Sequence, residues 1–163
     1  MCIEEIQSQF TNLLNNQKSL YIASVDRNGD PHSSTSPFLL YNKKIYLFLS
    51  ELSLHCQNIL NQSKLSVLII QDETAASEIF ARNRVTWVAK HREILRDSEN
   101  FNEILQQMTN KLGPTVQMLK SLKDFHLFEL EPKSGRLILG FGKAFEIEGF
   151  IINIQINGKI KKN

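Results

Sequence analysis

Cysteine is scarce. There are only two, Cys2 at the extreme N-terminus and Cys56 in a predicted helix. That number and placement give neither a disulfide framework nor a metal-ligand spacing. Charge of one sign is lacking too: the net charge is +2, too small for a general attraction to nucleic acid or anionic membrane. The three lysines in Lys159 to Asn163 read as a solvated tail. No apolar run approaches a membrane span; the longest, such as Val67 to Ile70, is a strand's worth. No basic segment followed by an apolar run opens the chain, so no signal peptide is evident. The expected setting is a reducing cytoplasm, with no membrane and no nucleic-acid partner. Gly-x-Ser-x-Gly, a P-loop, HExxH and paired carboxylates are all missing.

What is there is a core and strands. Of 163 residues, 42% are hydrophobic, enough for one domain over 1–163. Ile3, Ile6, Phe10, Leu13 and Leu14 share a helical face over residues 3–16. The pattern then changes period. Leu20–Val25 is a strand, Asp26-Arg27-Asn28-Gly29-Asp30 a hairpin turn centred on Asn-Gly, and His32–Tyr41 the return strand. Pro31 and Pro37 each remove a donor, so that strand belongs at an edge or carries a break. Asn42-Lys43-Lys44 turns into Ile45–Ser50, Ser53 caps a short helix to about Leu60, and Leu65–Gln71 and Val85–Ala89 are strands. Asp97 or Ser98 opens a long helix that Gly113-Pro114 ends. Thr115–Leu122 is a second helix. Strands resume at Phe125–Leu130, Arg136–Gly140, Ala144–Ile147 and Phe150–Ile156. Seven or eight hairpin-linked strands with about three helices predict an α+β antiparallel barrel, with barrel strands at about 18–90 and 124–157 and a helical insertion at about 97–122.

Few residues carry chemistry. Arg82 and Arg84, two apart at a strand entry, would share a face and could clamp a phosphate or carboxylate; the plain alternative is a solvent-facing edge. Asp124, before Phe125-His126-Leu127-Phe128, could orient a ligand group or take a proton, although a carboxylate there commonly caps a turn. His32, His55, His91 and His126 form no metal spacing, and His55 and Cys56 have no third ligand beside them. Gly140-Phe141-Gly142 is too short for a phosphate loop and reads as a bulge or tight crossing. The residues alone yield a barrel with an anion-binding face.

Four stretches go further. They are Leu20–Asp26 with Gly29-Asp30-Pro31 and Ser36-Pro37-Phe38, then Ala76–Thr86, Leu122–Phe125 and Gly135–Ala144. In this order they resemble the HugZ/HutZ-type haem-utilisation proteins of the pyridoxamine-phosphate-oxidase-like, FMN-binding split-barrel superfamily. The resemblance implies a split barrel that dimerises through its faces, with haem at the homodimer interface. An open, apolar seam that one chain cannot cover points to the same dimer. The family's better-studied members open the haem ring oxidatively and release iron, using an electron donor; others in the superfamily hold FMN. A flavin oxidoreductase and a non-catalytic haem carrier are the alternative functions. Residue by residue, Arg84 matches a family arginine near the haem, His55 a histidine near that site, and Asp124 the carboxylate that holds the proximal histidine by its second ring nitrogen. Arg82 is kept as well. Asp124 and Arg84 are thus the expected catalytic residues; Arg84, Arg82, His55, Asp124 and Lys159 are the expected cofactor contacts. The chain departs from the pattern at the tail. Gly158 matches, but Lys159 stands where the haem-ligating histidine would be, and no histidine follows His126. An ammonium has no lone pair for iron.

Overall fold

The structure, a computed structural model, describes residues 2–62 and 64–156. Four α-helices and nine strands occur among them. In chain order they are α1 (Ile3–Asn16), β1 (Ser19–Val25), β2 (Pro31–Pro37), β3 (Leu39–Tyr41), β4 (Lys44–Ser50), α2 (Leu54–Asn61), β5 (Leu65–Ile70), β6 (Arg84–Ile94), α3 (Glu99–Leu112), α4 (Thr115–Lys120), β7 (Phe125–Ile138), β8 (Ala144–Glu148) and β9 (Ile151–Ile156). All pairings are antiparallel.

The sheet curls for a topological reason. Its order is β2-β1-β5-β6-β7-β4-β3, with β8 and β9 added beside β7. The two end strands, β2 and β3, are separated in the chain by Phe38 alone. The sheet must therefore bend until its ends meet, giving an α+β half-barrel. Phe38 is fully buried at the corner, and its N–H donates to the Lys18 carbonyl. The break that Pro31 and Pro37 predicted is thus real, and it falls at Phe38.

Two turns are made differently from each other. Asn42 and Lys43 both take positive φ, 50° and 57°, between Tyr41 and Lys44. That is the tight hairpin geometry whose twist matches the strands. The loop containing Asn28-Gly29 is instead held from Asp26, whose carboxylate accepts the N–H groups of Asn28 and Asp30; only Gly29 has positive φ there.

Two cores share the sheet. Inside the curl lie Phe10 of α1, Ile22, Leu47, Val67, Trp87, Phe128 and Leu137. Trp87 packs against Phe10 and Phe150, and its Nε1 donates to the Gly149 carbonyl at 2.7 Å. On the outside of one end, α3 lays Phe101, Ile104, Leu105 and Met108 over Tyr46, Phe48 and Leu127. Two strands expected separately, Phe125–Leu130 and Arg136–Gly140, are one 14-residue strand. Pro132 does not stop it, because the β6–β7 register slips between Trp87 and Ala89, where Pro132 stands opposite. β6 likewise runs on to Ile94, well past Ala89.

Candidate functional site

The β6 strand organises the chemistry. Its odd-numbered residues, among them Val85, Trp87 and Ala89, point into the curl, and Arg84, Thr86, Val88, Lys90 and Arg92 point out. Arg84 opens the strand on this outer face, and its Nη1 donates to the Arg82 carbonyl at 3.0 Å. Arg82 is not its partner in a clamp. It follows a 3₁₀ turn, Ile79–Ala81, and precedes the strand, so strand alternation does not govern it. Its Nε and Nη2 donate to the Gln71 carbonyl at 2.8 and 2.5 Å, and its Nη1 pairs with Glu73 at 3.0 Å. Arg82 ties the Gln71–Asn83 connection together, and its planar fork is largely used. On the two loops that flank this end of β6, Phe80 and Phe141 are 80% and 68% exposed. Gly140, with positive φ, brings the second of these loops near the Ala81 carbonyl.

Asp124 and the helix that carries His55 are joined at the other end through Ser50. Asp124 ends the α4–β7 connection, and its carboxylate accepts the Ser50 hydroxyl at 2.6 Å. Its carbonyl accepts the Glu51 N–H. Ser53 then caps α2, which carries His55 at its first turn. Burial lowers the pKa of His55, and His32 on β2 lowers it further, so the ring is held neutral with its lone pair available. His32 Nδ1 is itself buried without a hydrogen-bond partner. Cys56, one residue on, is fully buried; burial, then the carboxylates of Glu51, Glu93 and Asp124, push its thiol up to about 12. It is a packing residue rather than a nucleophile.

These two groups do not form one site within a chain. Arg84 pairs with Ile70 and Ile138 at one end of β6, whereas Glu93 and Ile94 pair with Phe128 and Leu127 near Asp124 at the other. Nine residue steps from Arg84 to Glu93, at about 3.3 Å each, set the two groups roughly 30 Å apart along the strand. Lys159 lies outside the described residues.

Two clusters went unread in the sequence. His126 has Glu93 Oε1 2.6 Å from Nδ1 and Glu51 Oε1 2.5 Å from Nε2. Glu129, 9% exposed, accepts both Nε and Nη2 of Arg92 and the Tyr46 hydroxyl. Burial and the Glu129 charge push Tyr46 up to about 12. A cleft of about 600 Å³ opens here, lined by Lys44, Lys90 and Glu131 as well. A charged residue in the apolar run Phe125–Leu130 was the available signal for Glu129; nothing local marks its partners, 37 and 83 residues away. Among the described residues no group of three or more His, Cys, Asp or Glu is arranged to hold a metal ion, and no helix is long and apolar enough to cross a membrane.

Comparison with known proteins covers nearly all of this architecture. Residues 6–139 match the family described as pyridoxamine 5'-phosphate oxidase. Heme oxygenase HutZ of Vibrio cholerae is 35% identical over 133 residues, 82% of this chain and 76% of the relative. A crystal structure of HutZ, described as the haem storage protein of Vibrio cholerae, aligns with a TM-score of 0.76 at 32% identity, covering 82% of this chain and 93% of that one. Campylobacter jejuni ChuZ aligns with a TM-score of 0.85 at 25% identity; 94% of this chain is covered, but it spans only 63% of ChuZ. With a curled antiparallel sheet, the family match over most of its length and a relative above 30% identity, this chain belongs to the pyridoxamine 5'-phosphate oxidase family, on its HutZ-like side.

Proposed function

We propose that this chain is a haem-binding protein of haem utilisation, acting as a homodimer whose two copies build each site together. One observation carries the reading: Arg84 opens β6, whereas Asp124, which Ser50 ties to the cap of the helix carrying His55, lies by its far end. A second copy, packed antiparallel on the outer face, would bring the partner subunit's Arg84 to this chain's His55 and Asp124. Support for that face comes from Tyr21 of β1 and Val88 of β6, the strands on either side of β5, both more than half exposed. Apolar side chains on a sheet face of this kind mark interfaces.

The residues fit haem, a flat apolar ring with anionic edges. Phe80, Phe141 and Val88 offer exposed apolar surface on β6 and its flanking loops, and Arg84 at the strand entry offers a fork for a carboxylate. Of the four histidines, His126 has both nitrogens on carboxylates. His91 has one on the Gln62 carbonyl and the other buried in the curl. His55 has neither nitrogen taken by a protein group among the described residues, and it is held neutral. Among the described residues His32 is likewise without a protein partner, but its Nδ1 is buried; His55, at the first turn of the Ser53-capped helix, is the iron ligand we assign in place of the family's tail histidine. Bound haem would supply oxygen chemistry fed by an external electron donor, and so ring opening with release of iron. Asp124, fixed by Ser50, would hold a polar group or proton beside it.

The family match favours a second reading, FMN bound for oxidoreductase chemistry. The engagement of Arg82 with Gln71 and Glu73 leaves fewer cations for a flavin phosphate. A haem carrier without catalysis is the third. The absorption spectrum of the purified protein, with and without added hemin, separates these. A Soret band that shifts and weakens in His55→Ala supports the assignment. A flavin doublet supports FMN, and hemin bound unchanged on adding reductant and oxygen supports a carrier. A spectrum without either chromophore, unaltered by hemin, overturns the reading.

A further inference from the structure

His126 lies on the inner face of β7, in line with Phe128, on which its ring stacks. Its two nitrogens meet Glu93 of β6 and Glu51 at the end of β4. A neutral imidazole can donate from one nitrogen only; two carboxylate acceptors require both to donate, which the imidazolium alone does. The other titratable groups around it add no cation. Asp124 precedes the same strand, the Cys56 thiol on α2 is pushed up to about 12, and burial keeps His91, across Phe128, neutral.

Glu51 is the junction of this end of the barrel. Its N–H donates to the Asp124 carbonyl at 2.8 Å, and its own carbonyl accepts Gln57 Nε2 of α2 at 2.9 Å. Next to it, Ser50 joins the Asp124 carboxylate through its hydroxyl, while the Ser50 carbonyl accepts both the N–H and the hydroxyl of Ser53, the α2 cap. The residue that His126 grips is thus the one joining Asp124 to the helix carrying His55.

We propose that His126 is a positioning residue of the candidate site: as an imidazolium it pins Glu51, and so sets Asp124 and α2 relative to one another in a pH-dependent way. This deepens the haem reading and rests on it for what the site binds; the pin itself belongs to the protein alone. Burial opposes the charge on His126, but the bonds and charges of Glu93 and Glu51 outweigh it, and its pKa is raised above 6.5. The sign follows. The pin is fully formed below the free-histidine value near 6.5 and is lost as pH rises through the raised folded value.

The test begins on hemin-free protein with labelled histidine, followed by NMR from pH 5 to 9. His126 should titrate above 6.5, and Glu93→Gln and Glu51→Gln should each lower its midpoint. Amide protection in Leu54–Asn61, corrected for intrinsic exchange, should fall about tenfold across that midpoint, one decade in the local opening equilibrium. His126→Gln should flatten this profile while leaving the thermal transition cooperative. In the hemin complex, affinity should drop several-fold over the same pH range in the parent and stay flat in His126→Gln. A midpoint at or below 6.5, or α2 protection that follows the His126→Gln profile at every pH, overturns the proposal. Failure to bind hemin, with the titration and the α2 response intact, strikes the haem reading and leaves the pin supported.

Discussion

Gly135 is where the barrel tolerates least. It faces Trp87 across the β6–β7 pair. A Cβ built there would lie 2.2 Å from the Thr86 carbonyl oxygen and 2.6 Å from Trp87 Cδ1. Neither neighbour can yield cheaply. The oxygen belongs to the strand backbone, and the indole is 1% exposed, wedged by Phe10 and Phe150 with its N–H on Gly149. Overpacking a core costs about 1–3 kcal/mol, and contacts this short put Gly135→Ala at the top of that range, about 3 kcal/mol. For a chain of this length each kcal/mol moves the melting point by about 2–4 °C, so a fall of about 6–12 °C is expected. Thermal unfolding can be followed by the emission of Trp87, the chain's one tryptophan, which should also shift as the indole is displaced. Gly142→Ala separates sterics from backbone preference: it has φ of +69° but nothing within 4 Å, and left-handed strain there should cost about 1–2 kcal/mol. If Gly135→Ala melts within 1 °C of the parent with unchanged emission, or costs less than Gly142→Ala, the close-approach argument is wrong.

Replacing Arg84 with Ala should weaken hemin binding by about 1.5–3 kcal/mol, the usual worth of a charge-assisted hydrogen bond, with the melting temperature nearly unchanged; hemin titration beside a melt checks both. Light scattering at micromolar concentration should return about twice the 18.8 kDa of one chain, and an interface above roughly 2,000 Å² if the dimer is obligate; a stable mass near one chain refutes it. Lys159→His should raise hemin affinity by restoring an imidazole to the tail, read as a tighter titration and a changed Soret position. Burial would raise the pKa of Glu129, but Arg92 and Tyr46 outweigh it and lower it below 4.5. The stability this gives is present above 4.5 and lost as pH falls through the folded value. Arg92→Met should therefore flatten the acid limb of a stability–pH curve.

The fold was largely legible because its signals are local. Helix faces such as Phe101-Ile104-Leu105-Met108 and the caps Ser53 and Ser98 repeat on the scale of a turn. Strand ends were harder. The strand read as ending at Leu130 runs on through Pro132, which the slipped register opposite Trp87 and Ala89 accommodates. The resemblance named candidate residues, but not where in the fold they lie. That Arg82 is spent on Gln71 and Glu73, and that Arg84 lies a barrel's length from Asp124, are facts of pairing between distant segments. The His126 and Glu129 clusters each draw on three separate strands or their ends, so no window of sequence contains them.

The double duty of β7 limits what can be cut from this protein. Leu127 faces the helices and Phe128 faces the curl, so adjacent residues of one strand fill opposite cores. Splicing out α3 and α4 to leave a minimal barrel would look harmless on a topology diagram, since both ends of the excised piece return to neighbouring strands. It would instead uncover Tyr46, Phe48 and Leu127 as a water-facing apolar stripe, and a deletion variant of that kind should come out of expression as aggregate rather than as a smaller soluble barrel.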